Sequence, residues 1–102
     1  MGEMMPYKPK GVRDILTKKL GMTISERDHT WLELHIKGLP TIRTKLSHNN
    51  KDIGPEIESR ICKQLRVRKP FFHGLMDCSE YLQDYEAQVR KDPFPPFDVG
   101  LV

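Results

Sequence analysis

The residues of this chain best suited to chemistry are its histidines and the cations around them. His29, His35, His48 and His73 are scattered, and no pair shows the close Cys/His or His/carboxylate spacing of a zinc site. His29 and His35 share a strand face with Trp31 between them, too far apart for common ligation, so no metal and no cofactor is expected. No nucleophile elbow marks a serine or cysteine triad, and no glycine-rich stretch cradles phosphate. Acid–base work on RNA needs less machinery. The ribose 2′-hydroxyl is an internal nucleophile, so one well-placed imidazole can start strand cleavage by removing its proton. Neighbouring cations stabilise the charge that grows on the phosphate. Histidine ordinarily titrates near pH ~6.5 and can work in either direction. His29, preceded by Arg27 and Asp28 and set beside a basic strand, is the candidate general base.

What must position these groups is a hairpin. In HTWLELHIK, Leu32, Leu34 and Ile36 share one face, while His29, Trp31, Glu33, His35 and Lys37 share the other. In TIRTKLSH, Ile42, Thr44 and Leu46 alternate with Arg43, Lys45 and Ser47. Alternation with a period of two marks a half-buried antiparallel pair. A connection of Gly38, Leu39 and Pro40 sets Glu33 opposite Lys45 and His35 opposite Arg43, and a slip of one residue would pair Ile36 with Arg43. The solvent face thus carries imidazoles, an indole and cations, which points to a polyanion. Arg27, Trp31, His35, Lys37, Arg43, Lys45 and His48 are the candidate nucleic-acid contacts. Trp31 on this face can stack a base, worth about 1–3 kcal/mol in single-strand binders, or cover the sheet under a partner protein. His48 has the apolar parity of Leu46 but sits at the strand's end, where it caps the turn or joins the site. His73, within PFFHGLM, is expected to pack.

Around the hairpin, Val12, Ile15, Leu16 and Leu20 repeat at helical spacing, with Gly21 where a C-terminal cap belongs. Arg13, Lys18 and Lys19 are expected on that helix's exposed side. Met22 to Arg27 reads as a first strand. Pro55 suits a first helical turn, and Ile53, Ile57, Ile61 and Leu65 form a narrow stripe facing the sheet. Arg60, Lys63, Arg66, Arg68 and Lys69 follow with no acidic residue between them. Asp77 with Glu80 resembles a capping box opening a last helix striped by Leu82, Tyr85 and Val89, with Tyr81 adjoining. The expected fold is α+β: α-β-β-β-α with a three-stranded antiparallel sheet packed on helices, plus short C-terminal helices. Residues 10–90 form a single domain, 1–9 a flexible lead, and 91–102 a Pro-rich tail that is disordered or lies extended along a partner or its own domain.

Composition excludes several classes. At 102 residues the chain can bury one modest core. A net charge of +3 and a pI near 9.0 are only mildly basic. No apolar run approaches the ~20 residues of a membrane span, and MGEMMPYKPKG has no hydrophobic signal region, so a cytoplasmic protein without membrane partners is expected. Cys62 and Cys78 are too few for a disulfide framework and read as small core residues.

The order of these elements, a helix ending Leu20-Gly21, a strand leading to a histidine at the next strand's start, a hairpin, a strand ending in histidine and an Ile-rich helix, resembles the HicA-type toxins. The likeness covers roughly residues 10–67. It implies a double-stranded-RNA-binding-domain-like fold, mRNA interferase activity and a neutralising antitoxin partner. His29 stands where the family has its catalytic histidine, although the family commonly has Gly-Ser where this chain has Arg27-Asp28. His48 falls where the family often has a histidine after its third strand. The Thr44-Lys45-Leu46-Ser47-His48 strand end is also similar to uncharacterised prokaryotic proteins of this size, which imply no activity. The rival reading is a non-catalytic protein-interaction module or homodimer using Trp31 and the Phe94-Pro95-Pro96-Phe97 tail. A third is a duplex reader led by the Arg60 to Lys69 run.

Overall fold

A computed structural model describes residues 7–48, 51–77 and 80–96. The described elements run α1 (Pro9–Leu20), β1 (Thr23–Glu26), β2 (Thr30–Leu34), β3 (Ile42–Leu46), α2 (Pro55–Leu65), α3 (Lys69–Met76) and α4 (Leu82–Lys91). The class is α+β, with an antiparallel sheet in the order β1-β2-β3. None of these helices is long and apolar enough to cross a membrane.

α1 begins with Pro9, whose missing N–H costs nothing at a helix start. Val12, Leu16 and Leu20 are buried along one stripe. Lys18 and Lys19 sit in its last turn, where cations favour the negative end of the helix dipole. Gly21 ends it in the left-handed region (φ 71°), and the Gly21 N–H donates to the Thr17 carbonyl. Lys19 is not a free surface cation: its Nζ donates to the Leu75 and Glu80 carbonyls (2.5 and 3.0 Å), tying α1 to the end of α3.

β2 and β3 pair with Trp31 opposite Lys45 and Glu33 opposite Arg43, not Glu33 opposite Lys45 as the spacing predicts. The two registers differ by two residues, so the side chains within β2 and β3 keep their expected faces. The reason is the turn. Leu39 N–H donates to the Ile36 carbonyl (3.0 Å) and Gly38 has φ 85°, the glycine-favouring third position of a type II turn. That tight turn takes residues 35–41 out of the ladder, and Pro40 could not have donated to it. His35 and Lys37 therefore leave the strand, although Ile36 stays in the core.

The helices cover one face of the sheet. Leu32, Ile42 and Leu46 meet Val12, Leu16, Ile61, Leu65, Phe72, Leu75, Tyr85 and Val89 there, all essentially excluded from water. Thr44 is also buried on this face, where its hydroxyl donates to Gln64 Oε1 of α2 (2.6 Å). The expected stripes are covered only in part. Ile53, Ile61 and Leu65 are buried but Ile57 is exposed; Tyr85 and Val89 are buried but Tyr81 and Leu82 are exposed. α4 starts later than Asp77 and Glu80 suggest, because the Asp84 carboxylate accepts from the Tyr81 N–H (2.9 Å) and fixes the first turn there. Tyr85 donates its hydroxyl to the Leu65 carbonyl (2.7 Å), joining α4 to α2. His73 packs as expected and is hydrogen-bonded to Glu58 across the α2–α3 contact.

Candidate nucleic-acid interface and active site

The uncovered face of the sheet has a simple grammar set by register. Ser25, Trp31 and Lys45 form one row across the three strands, and Thr23, Glu33 and Arg43 form the next. Trp31 is half-buried between two cations, with Lys45 Nζ 5.6 Å and the Arg27 guanidinium 5.9 Å from its ring centre. Such contacts place positive charge beside the π surface of the indole. Arg43 Nε lies 3.0 Å from Glu33 Oε2, so this arginine is partly neutralised within the protein. His35, 71% exposed, stands beyond the strand end with Nδ1 3.1 Å from Thr41 Oγ1 and Nε2 4.0 Å from Glu33 Oε1. Lys37 lies in the turn, where Arg90 Nη2 donates to its carbonyl (2.9 Å). Of the predicted contacts, Arg27, Trp31, Arg43 and Lys45 come together here, while His35 and Lys37 lie at the turn end.

His29 is elsewhere. The alternation that places it beside Trp31 stops one residue short, because residues 27–29 form a tight turn closed by the Arg27 N–H on the His29 carbonyl (3.0 Å). The ring turns toward the helix side of the sheet's end. There it lines a cleft of about 230 Å³ with Pro9, Leu46, Ser47, Ile53 and Arg60. The side chain remains 39% exposed, and Asp28 Oδ2 lies 3.5 Å from its Nδ1. Desolvation alone would push the Asp28 carboxyl up, but the hydrogen bond from the Trp31 side chain, the charge of His29 and the backbone N–H hold it below its ordinary value. Asp28 thus stays ionised next to the imidazole and links it to the Trp31 indole.

A second cleft, of about 420 Å³, adjoins the first across Pro9, Leu46 and Ser47 and is lined by Lys10, Arg13, Glu26, Thr30 and His48. His48 therefore joins the site. Its Nε2 lies 3.2 Å from Glu26 Oε1, which also accepts from the Thr30 hydroxyl (2.9 Å). Arg13 Nη1 stands 3.9 Å from the other Glu26 oxygen. Arg60 donates from Nη2 to the Lys45 carbonyl (2.8 Å), covering the outer edge of β3. At the first cleft Arg60 Nε is buried and makes no hydrogen bond among the described residues, while the buried His29 Nδ1 has only the longer contact to Asp28 Oδ2 (3.5 Å). Buried polar atoms of this kind are uncommon and mark a place where an external oxygen would be welcome.

The end of the sheet thus gathers two imidazoles, the carboxylates of Glu26 and Asp52, Ser47 and the cations Lys10, Arg13, Lys51 and Arg60. Glu26, Lys10, Arg13, Ser47 and Lys51 are not evident from the histidine pattern. Glu26 could have been found, because a turn of three residues before Thr30 must place residue 26 opposite it. The basic run from Arg60 to Lys69 does not form one helical face. α2 ends at Leu65, and Arg66 takes a left-handed conformation (φ 67°) that redirects the chain. The described part of the tail lies on its own domain: the Phe94 N–H donates to the Arg66 carbonyl (3.0 Å), Arg66 Nη1 donates to the Pro95 carbonyl (3.1 Å), and the Arg68 guanidinium sits 4.3 Å over the Phe94 ring. Phe97 lies outside the described residues. Cys62 is buried in the core as expected, whereas Cys78 is also outside the described residues. No protein-family model, curated protein or solved structure matches this chain.

Proposed function

We propose that this chain is a cytoplasmic RNA-binding protein of the HicA-like type that cleaves single-stranded RNA without a metal, with His29 as general base. What supports the reading is the meeting of His29 and His48 on adjoining clefts at one end of β3, ringed by cations and next to an uncovered sheet face. Trp31 stacks a base, and Arg27, Arg43 and Lys45 approach phosphates. His35 and Lys37 extend this contact at the turn end. At the cleft, His29 removes the 2′-hydroxyl proton, and the freed oxygen attacks the adjacent phosphorus. The P–O5′ bond breaks, the leaving oxygen takes a proton from protonated His48, and a 2′,3′-cyclic phosphate remains. Arg60 and Lys51 offset the charge that grows on the phosphoryl oxygens. An antitoxin protein that covers this cleft belongs to the same reading.

The test is digestion of end-labelled single-stranded RNA in the presence of a chelator, with separate measurement of binding. His29→Ala is expected to slow cleavage by about 10²–10⁴-fold while RNA still binds. Undiminished cleavage by that variant would clear His29 of a catalytic part. Binding is expected to weaken with salt at a log–log slope near about −3 for four phosphate contacts; a flat response would remove the phosphate-binding idea.

A further inference from the structure

At the other end of β3 from the histidines, Thr41, Arg43, Gln64 and Arg66 line a pocket of about 310 Å³. We infer that it is a second, non-catalytic phosphate site, which grips the RNA backbone away from the scissile bond. This inference rests on the RNA-binding reading above and deepens it.

All the lining side chains present donors, and no carboxylate lines the pocket. Gln64 is held in one sense: its Oε1 accepts from the fully buried Thr44 hydroxyl (2.6 Å), which leaves its amide N–H₂ as the end available to a ligand. Arg43 is anchored through Nε on Glu33 (3.0 Å), and Arg66 through Nη1 on the Pro95 carbonyl (3.1 Å). Two guanidinium groups tied in this way lose little freedom when they meet an anion, and their forks match phosphate oxygens. The Thr41 hydroxyl, next to His35, adds a fourth polar group.

Arg66 is the unusual member. The Arg66 N–H donates to Lys63 and the Val67 N–H to Cys62 (3.1 and 3.0 Å), a Schellman ending whose left-handed position favours glycine. An arginine at φ 67° gives up backbone comfort at a position where its side chain reaches the pocket.

Place decides the role. Arg43 and Ser47 are about 13 Å apart along an extended strand, so one phosphate cannot serve both ends. Lys45 lies between them on the uncovered face, opposite Trp31. A single strand gripped at Arg43 and Arg66 would pass the indole before it reaches His29 and His48, which gives the site a minimum substrate length.

The experiment compares binding of a trinucleotide and an octanucleotide RNA to wild type and to two variants. Arg66→Asn removes the guanidinium with a residue that tolerates left-handed backbone. Gln64→Glu keeps the acceptor for Thr44 and places a carboxylate in the pocket. Wild type is expected to bind the octanucleotide more tightly, and each variant to lose at least about tenfold of that gain, with a salt slope shallower by about 0.7 for one lost phosphate. If wild type gains affinity with length and both variants keep the full gain, the second site is overturned while RNA binding stands. If a variant weakens both RNAs equally and melts at lower temperature, its role is structural and the inference falls. If wild type binds neither RNA, the broader reading falls and takes this site with it.

Discussion

Leu32 and Trp31 are neighbours in the chain, yet they belong to surfaces with opposite demands. The covered face of the sheet is dry and held by many distant contacts, with Leu32, Ile42, Thr44 and Leu46 closed under the helices. The uncovered face is built from the alternate residues of the same strands and is held mostly by its immediate neighbours, Lys45 and Arg27 around Trp31 and Glu33 beside Arg43. If the uncovered face binds RNA as proposed, stability and recognition are carried by alternate positions of one backbone, so each can be damaged while the other survives.

The sharpest way to break the contrast is on the dry side. Leu32→Ala should lower stability by about 2–5 kcal/mol in denaturant unfolding, through lost burial and the cavity left behind. RNA affinity of the folded fraction should not change, and a matching loss of affinity would show that the faces are coupled.

Next comes an alkaline test of the dry side. Burial pushes the Cys62 thiol from 9.0 up to about 12, with the Glu58 charge adding to the rise and Lys69 opposing it. The folded state therefore holds this proton more tightly than the unfolded chain. The contribution is complete below about pH 9 and is lost as pH rises from there toward about 12. Denaturant midpoints followed over that range should fall for wild type and fall less for Cys62→Ala; parallel curves would contradict the assignment. The Tyr85 phenol is shifted in the same direction by burial, against the nearby Arg66 charge, so some alkaline loss should remain in the variant.

On the wet side, Trp31→Ala should cost about 1–3 kcal/mol in single-stranded RNA binding and little in thermal stability, measured by fluorescence-independent titration. The smallest effect is expected at Glu33. An exposed ion pair contributes at most about 1 kcal/mol to folding, so Glu33→Gln should leave the melting temperature nearly unchanged. It should change RNA binding little, because losing the anchor that orients the Arg43 fork opposes the gain from removing a competing carboxylate.

Much of this was legible locally. Val12, Leu16 and Leu20 with Gly21 after them define α1 and its end, since helix period and a left-handed cap are properties of short stretches. Face assignment along β2 and β3 was also legible, because side chains alternate whatever the partner strand does. The pairing itself differs by two residues from the one the spacing predicts, because the Ile36–Leu39 turn closes inside the loop and Gly38, not the strand pattern, decides where the ladder stops. The same alternation predicts His29 on the uncovered face, and His29 escapes it by sitting in the turn before β2. The strand pattern gives His48 two roles, and the choice between them depends on Glu26, twenty-two residues earlier. Arg60 to Lys69 looked continuous in sequence, but a single left-handed residue at Arg66 divided it between a sheet edge, a pocket and a stacked ring.

Residue order alone settles which side chains are apolar, which are charged, and how they alternate along each strand and helix, because those periods follow from backbone geometry within a few residues. It took the packed molecule to bring His29 and His48 to one end of the sheet, to set Arg43 beside Arg66, and to direct the Lys19 ammonium onto the Leu75 and Glu80 carbonyls. Each of those meetings joins segments far apart in the chain, and their positions follow from how the helices pack and where the turns close.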